Sequence, residues 1–284
     1  MPADKTPLPA HIARVLTYIH AHVDEPLRLD ALSEIAGVSA FHLQREFTRV
    51  TGHSPARRAQ LLRLKRASMR LVFQRERSIT DVALEAGYQN AESFTRAFQK
   101  RVGQSPSEFR CAPAWVTWRA LFSFPSSAEP VSMQVEIVQF PATPVAAVEH
   151  FGSTANLYET TRKLVEWRIA NRVSPQRART YGVHYDLRTH AQSGYRLDMC
   201  VSFDGEVKPN VQGVVGKTIP EGRCARVRYT GSREYIPVVG PLFNEWLPAS
   251  GEQLRDFPVF FHYVNVGPDV PEHEMITDVY LPLR

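Results

Sequence analysis

Two short sets of side chains in this 284-residue sequence have the types and spacing to read the edges of a DNA duplex. Gln44 and Arg45, with Arg49 one turn further on, form the first. Glu92, Thr95 and Arg96, with Lys100 one turn further on, form the second. Arginine can set two N–H donors against a guanine edge, and glutamine pairs in the same bidentate way with adenine. Taken alone, either set would pass for an ordinary solvated helix face. Repetition argues otherwise. Leu32-Ser-Glu-Ile-Ala-Gly37, Leu43-Gln-Arg45-Glu-Phe47 and Gly52-His-Ser54-Pro55 return as Val82-Ala-Leu-Glu-Ala-Gly87, Phe94-Thr-Arg96-Ala-Phe98 and Gly103-Gln-Ser105-Pro106. Gly37 and Gly87 are 50 apart and Phe47 and Phe98 are 51 apart, so the second copy carries one extra residue after its glycine. Two copies are too few for a stacked solenoid. Each reads as a short helix, a glycine turn and a longer helix, which is a helix-turn-helix.

These elements position the polar sets. Leu43, Phe47 and Val50 recur at helical spacing and face a core, which turns Gln44, Arg45, Thr48 and Arg49 outward. Phe94 and Phe98 do the same for Glu92, Thr95, Arg96 and Lys100. Ser54-Pro55 and Ser105-Pro106 each place serine at an N-cap and proline at the first helical position. Capping is their simplest role, and the free amides of a helix start also suit a phosphate. Between the units, residues 56–73 read as a linking helix that carries Arg57, Arg58, Arg63, Lys65, Arg66 and Arg70. Two or three of these are expected on the DNA backbone, Arg57 and Arg58 foremost because they follow the helix start.

A second constellation lies further along. Asp278 falls in an alternating strand with Ile276 and Tyr280 on the same face. A carboxylate buried among apolar neighbours is costly without a cation. That suits Asp278 either to a cationic ligand or to an internal salt bridge with a nearby arginine. Trp246, Trp167, Tyr229, Tyr185, Tyr263 and Phe261 could stack on a ligand or hold a cation over a ring, and one of the two tryptophans is expected to be plain core. The setting is another duplication. Pro141, Val148, Gly152, Ser153, Leu157, Leu164 and Trp167 are matched by Pro220, Val227, Gly231, Ser232, Ile236, Phe243 and Trp246, always 79 residues on. Each half reads as a strand, a Gly-Ser turn, an amphipathic helix and two more strands. The prediction is a pseudo-two-fold α+β domain with a cleft between residues 141–203 and 220–282. Tyr229 stands where the first half has His150, an asymmetry that would favour one ligand.

Charge separates the two regions. Residues 1–111 hold 17 Lys/Arg against 11 Asp/Glu, whereas residues 112–284 hold 17 against 18, within a chain of net charge +5. The basic excess therefore lies with the helix-turn-helix units, as phosphate binding requires. No apolar tract is long enough for a membrane span, and the N-terminus lacks the apolar core of a secretion signal. Three dispersed cysteines, Cys111, Cys200 and Cys224, fit a reducing cytoplasm and no disulfide or zinc framework. No metal, cofactor or catalytic set is expected. The predicted organisation is an all-helical double helix-turn-helix domain over 1–111, a linker over 112–131 and the α+β domain over 132–284. Within the linker, Trp115, Trp118, Phe122 and Phe124 are expected to pack the domains together, ahead of the Pro/Ser stretch 125–130.

Residues 10–110 resemble the DNA-binding domain of the AraC/XylS family of bacterial transcription regulators. Ser39, Leu43, Arg45, Phe47, Gly52, Ser54-Pro55, Ile79, Asp81-Val82-Ala83, Gly87-Tyr88, Arg96, Phe98, Gly103, Ser105-Pro106 and Phe109-Arg110 carry the resemblance. It implies two recognition helices in successive major grooves, with Phe41, Gln44 and Arg45 reading bases from the first and Glu92, Thr95 and Arg96 from the second. Ala91 stands where relatives often have a polar reader. Arg196-Leu-Asp198, Trp246-Leu-Pro-Ala-Ser-Gly251, Phe261-His-Tyr263-Val-Asn265 and Thr277-Asp278-Val-Tyr280 resemble GyrI-like effector-binding domains. That resemblance implies a small hydrophobic or cationic effector in the cleft, and the domain order is similar to Rob-type regulators. Double-stranded DNA and a small-molecule effector are the implied partners, with RNA polymerase a further candidate. Two alternatives stand beside effector binding: recruitment of a protein partner, and the small-molecule hydrolysis reported for some GyrI-like proteins.

Overall fold

Each helix-turn-helix hinges on a glycine that leaves the right-handed region. Gly37 (φ 71°) closes α2 (Leu29–Ala36) and opens the turn into α3 (Ala40–Thr51), capped by Ser39. Gly87 (φ 81°) occupies the same place between α5 (Ile79–Glu85) and α6 (Ala91–Val102), where Asn90 is the cap. A side chain at this φ is strained, so glycine sets the angle between the two helices of each unit. α1 (Ala10–Ala21) lays Ile12, Val15, Leu16 and Ile19 against Leu32, Leu43 and Phe47 to complete the first unit's core. α4 (Pro55–Phe73) links the units, and α7 (Pro106–Cys111) follows the second. The computed structural model describes residues 8–122, 133–185, 194–233 and 236–284, which fall into two units, Met1–Pro130 and Val131–Arg284.

The aromatic segment after Arg110 belongs to the first unit's core. Trp115, Trp118 and Phe122 sit on α8 (Trp115–Phe122), which packs on α4 and α6. Their rings continue a chain of edge-on and tilted contacts from Phe94 and Phe98 through Phe109, with centroids about 5 Å apart at each step. The first domain therefore extends through Phe122, and the expected linker shrinks. Phe124 and the Pro/Ser stretch lie outside the described residues.

The second unit is one eight-stranded antiparallel sheet in the order β1-β6-β8-β7-β3-β4-β2-β5. Its strands are β1 (Val135–Phe140), β2 (Thr143–Gly152), β3 (Thr180–His184), β4 (Tyr195–Ser202), β5 (Val214–Ile219), β6 (Gly222–Thr230), β7 (Val259–Tyr263) and β8 (Ile276–Pro282). Exchanging β1–β4 for β5–β8 reverses the order onto itself, so the pseudo-two-fold runs between β3 and β7. Each half holds one strand more than the sequence repeat revealed. β1 pairs with β6 and β5 with β2, so the first strand of each half completes the edge of the other. The registers repeat too: Val135 opposes Val227 and Val214 opposes Val148.

Pleating gives the sheet two different faces. On one, α9 (Leu157–Ala170) covers Ala146, Val148 and Val201, while α10 (Val239–Pro241), a π segment (Leu242–Trp246) and α11 (Leu247–Ser250) cover Ala225, Val227 and Phe261. On the other, Phe140, Tyr181, Phe260 and Tyr280 pack on one another. Phe140 and Tyr181 lie four strand steps apart, roughly 19 Å in a flat sheet, yet their rings are 6.1 Å apart. The sheet is curled toward this aromatic face.

Candidate DNA interface and ligand cleft

Burying one stripe of each recognition helix fixes what the other stripe shows. With Leu43 and Phe47 fully buried, α3 exposes Phe41, Gln44, Arg45, Thr48 and Arg49. With Phe94 and Phe98 fully buried, α6 exposes Glu92, Arg96, Gln99 and Lys100 and half-exposes Thr95. Phe41 is 77% exposed, and an apolar group here suits a thymine methyl. Glu46 turns away to His11 (2.8 Å) and His42 (3.2 Å), which leaves Arg45 without an ionic partner among the described residues. Arg96 lies 3.3 Å from Glu92, both about three-quarters exposed. A pair that wet is worth little and yields easily to a base.

The two helix starts are unequal. Ser54 Oγ accepts the Arg57 N–H and Ser105 Oγ the Glu108 N–H, each at 3.3 Å. Glu108 also reaches back to accept the Ser105 N–H at 2.7 Å, a capping box that lowers its own carboxyl pKa. That carboxylate opposes a phosphate at α7. The start of α4 carries Arg57 at the same position. Along α4 most of the basic residues serve the fold. Arg58 is only 3% exposed and points at His20, Lys65 is buried, Arg63 donates to the Val23 and Glu25 carbonyls, Arg66 pairs with Asp24 and Arg70 with Glu85. The expectation of Arg58 on the DNA backbone is therefore corrected: next to Arg57 in sequence, it lies about 100° round the helix and faces inward.

In the second unit the pleat divides the expected ligand residues. Phe261 opposes Gly182, and Tyr263 and Tyr229 both oppose Thr277, so these rings share the helix-covered face. Asp278 opposes His262, on the other face. There Arg228 grips it with Nε at 2.7 Å and Nη2 at 2.8 Å, the internal-bridge alternative. Tyr185 is also on that face, donating to Asp198 at 2.8 Å beneath the Arg196 guanidinium. Lys217 completes this second buried-acid pair at 2.7 Å from Asp198. Asp278 and Tyr185 are thus not brought together with Phe261, Tyr263, Tyr229 and Trp246. Trp167, 3% exposed and edge-on to Phe203, is plain core.

What the helix-covered face does hold is a neutral hydrogen-bonded line that sequence reading missed. His184 Nδ1 lies 2.7 Å from the Tyr195 hydroxyl and its Nε2 3.5 Å from the Tyr263 hydroxyl, with the Phe261 ring tilted against it at 4.1 Å between centroids. Burial alone pushes His184 down to about 3, so the ring is neutral, and pushes Tyr195 up to about 12. The only sequence signal was the 79-residue offset, which aligns His184 with Tyr263. Gly182 matters for the same reason: a Cβ there would meet the Tyr263 hydroxyl at 2.6 Å.

The comparisons with known proteins agree with this architecture. Residues 133–284 match the GyrI-like small molecule binding domain, and residues 32–112 match a helix-turn-helix domain. This is an AraC-family transcription regulator with a GyrI-like domain. Over 156 residues the regulator is 36% identical to the probable transcriptional regulator YgiV of Escherichia coli K12, covering 54% of this chain and 98% of that protein. Over 104 residues it is 38% identical to the right origin-binding protein of the same strain, covering 37% of this chain and 36% of that protein. The regulatory protein SoxS of Salmonella typhimurium is 32% identical over 99 residues, 35% of this chain and 92% of SoxS. DNA binding is the regulator's activity. No helix among its described residues is long and apolar enough to cross a membrane.

Proposed function

We propose that the regulator reads one duplex with both units, Arg45 and Arg96 each on a base edge in successive major grooves. The matched exposure of these two arginines, on helices whose opposite stripes are core, carries the reading. Phe41, Gln44, Glu92 and Thr95 flank them on the same stripes, while Arg49, Lys100, Ser54 and Arg57 lie at the margins where backbone runs. Ser105 is the weaker phosphate contact because Glu108 closes its helix start. Arg45→Ala and Arg96→Ala should each cost about 1–3 kcal/mol of DNA affinity and relax specificity in one half of the site. Selection of preferred sequences with each variant tests this; unchanged preferences would remove both residues from readout.

The GyrI-like domain, in this proposal, binds a small aromatic molecule on its helix-covered face. Half-buried Tyr263, Tyr229 and Trp246 beside the His184 line support it. So does the π segment that interrupts the second half's helix, since such bulges recur at functional sites. Among the described residues no carboxylate acts on His184 or Tyr263. The face therefore suits a neutral ring better than the cation expected from Asp278. Titrating cationic and neutral aromatic compounds against the full chain, with melting as the readout, tests this. Stabilisation by cations alone, abolished in Asp278→Asn, would return the site to the other face.

A further inference from the structure

A cavity of about 160 Å³ opens between α4 and α6 in the first unit, lined by Arg57, Gln60, Tyr88, Lys100 and Arg101 over an apolar floor. One water needs only roughly 10–15 Å³ on this measure, so the space takes a larger occupant. Three cations converge on it, and among the described residues no carboxylate lines it. Arg57 donates from Nη1 to Gln60, while its Nη2 is buried without a hydrogen-bond partner. An orphaned guanidinium N–H is costly; burial first, and then the neighbouring Arg101 charge, lower the Arg57 pKa. Burial raises the Tyr88 pKa, which keeps its hydroxyl a donor. The walls therefore offer positive charge and one buried guanidinium donor, Arg57 Nη2, that no acceptor meets.

We propose that this cavity is a phosphate site, gripped by Arg57, Arg101 and Lys100. A planar guanidinium fork matches phosphate oxygens in pairs, and two such forks with an ammonium give charge balance that water alone cannot. Position supports DNA as the source. On α6, Lys100 lies about 80° round from Glu92 and immediately beside the stripe that Arg96 and Gln99 share, so a strand leaving that groove passes its mouth. The site also joins the two units, since Arg57 belongs to the linking helix and Arg101 to the second recognition helix. It would fix one backbone phosphate against both.

Two measurements on the full chain test the proposal in the parent, Arg57→Gln, Arg101→Gln and the charge-preserving Arg57→Lys. The first is melting in inorganic phosphate against chloride at equal ionic strength. The second is the slope of log affinity against log salt with a duplex. Phosphate stabilisation that is lost in both glutamine variants, with a slope shallower by about one unit, identifies a DNA phosphate. Loss of phosphate stabilisation with an unchanged slope keeps the site but assigns it to a free phosphate ester. Arg57→Lys should stay nearer the parent on both readouts. If all four proteins share one phosphate response and one salt slope, the cavity holds no phosphate and the proposal is overturned.

Discussion

Arg57 and Arg58 are neighbours with opposite surroundings. Arg57 faces a cavity and solvent, whereas Arg58 is 3% exposed and directed at His20. Arg58→Ala should lower the melting temperature of the DNA-binding unit and leave the salt slope of DNA binding unchanged; a shallower slope would place Arg58 on phosphate after all. No local pattern distinguishes the two, because the stripe α4 buries includes long basic stems as well as leucines. Asp278 shows the same limit in a strand. That Ile276, Asp278 and Tyr280 share a face was legible from alternation, but which aromatics join them depends on the pairing of β8 with β7 and β6. His184 gives a pH signature. Its folded value, about 3, lies below the ordinary value of 6.5, so the unfolded chain takes up a proton first as pH falls. The second domain should lose stability progressively from about pH 6.5 downward, and His262, lowered to about 4, adds to the effect. Replacing His184 with asparagine should flatten melting temperature against pH in this window; an unaltered slope would contradict a neutral buried ring.

At the level of elements, the helix-turn-helix pairs were legible because everything they need is local: glycine at the turn, a serine or asparagine cap, and apolar residues four apart, Leu43 and Phe47 in one and Phe94 and Phe98 in the other. α8 and the edge strands were not. Trp115 and Trp118 read as an interface only because sequence shows no partner for them, and Trp115's partners Phe73 and Phe109 lie 42 and 6 residues from it. A fragment ending at residue 112 should therefore melt lower than one ending at 124, and Trp118→Ala should cost about 3–5 kcal/mol in the longer fragment, as large core truncations do. Equal melting of the two fragments would detach α8 from the core. β1 and β5 escaped notice for a related reason. Each pairs with the opposite half, so its alternation answers to a strand 82 to 92 residues away for β1 and 66 to 76 residues away for β5, rather than to its own neighbours.

For the whole molecule, charge was the most legible property. The excess of Lys/Arg over Asp/Glu lies in residues 1–111, on the unit that carries both recognition helices. An effector that regulates must bind two states of the protein unequally, a bias of about 1–3 kcal/mol in the usual range. A compound that stabilises the second unit should then change DNA affinity by the corresponding factor, and DNA should change the compound's affinity equally. Two matched helix-turn-helix units are proposed to read one site together. Hydroxyl-radical footprinting of the full chain on its selected duplex, repeated with Arg45→Ala and Arg96→Ala, tests it most directly. Two protected segments are expected on one face of the DNA, centred about one turn or 34 Å apart, with each variant losing sequence preference in a different segment. Protection confined to fewer than about ten base pairs, or both variants relaxing the same segment, would contradict it.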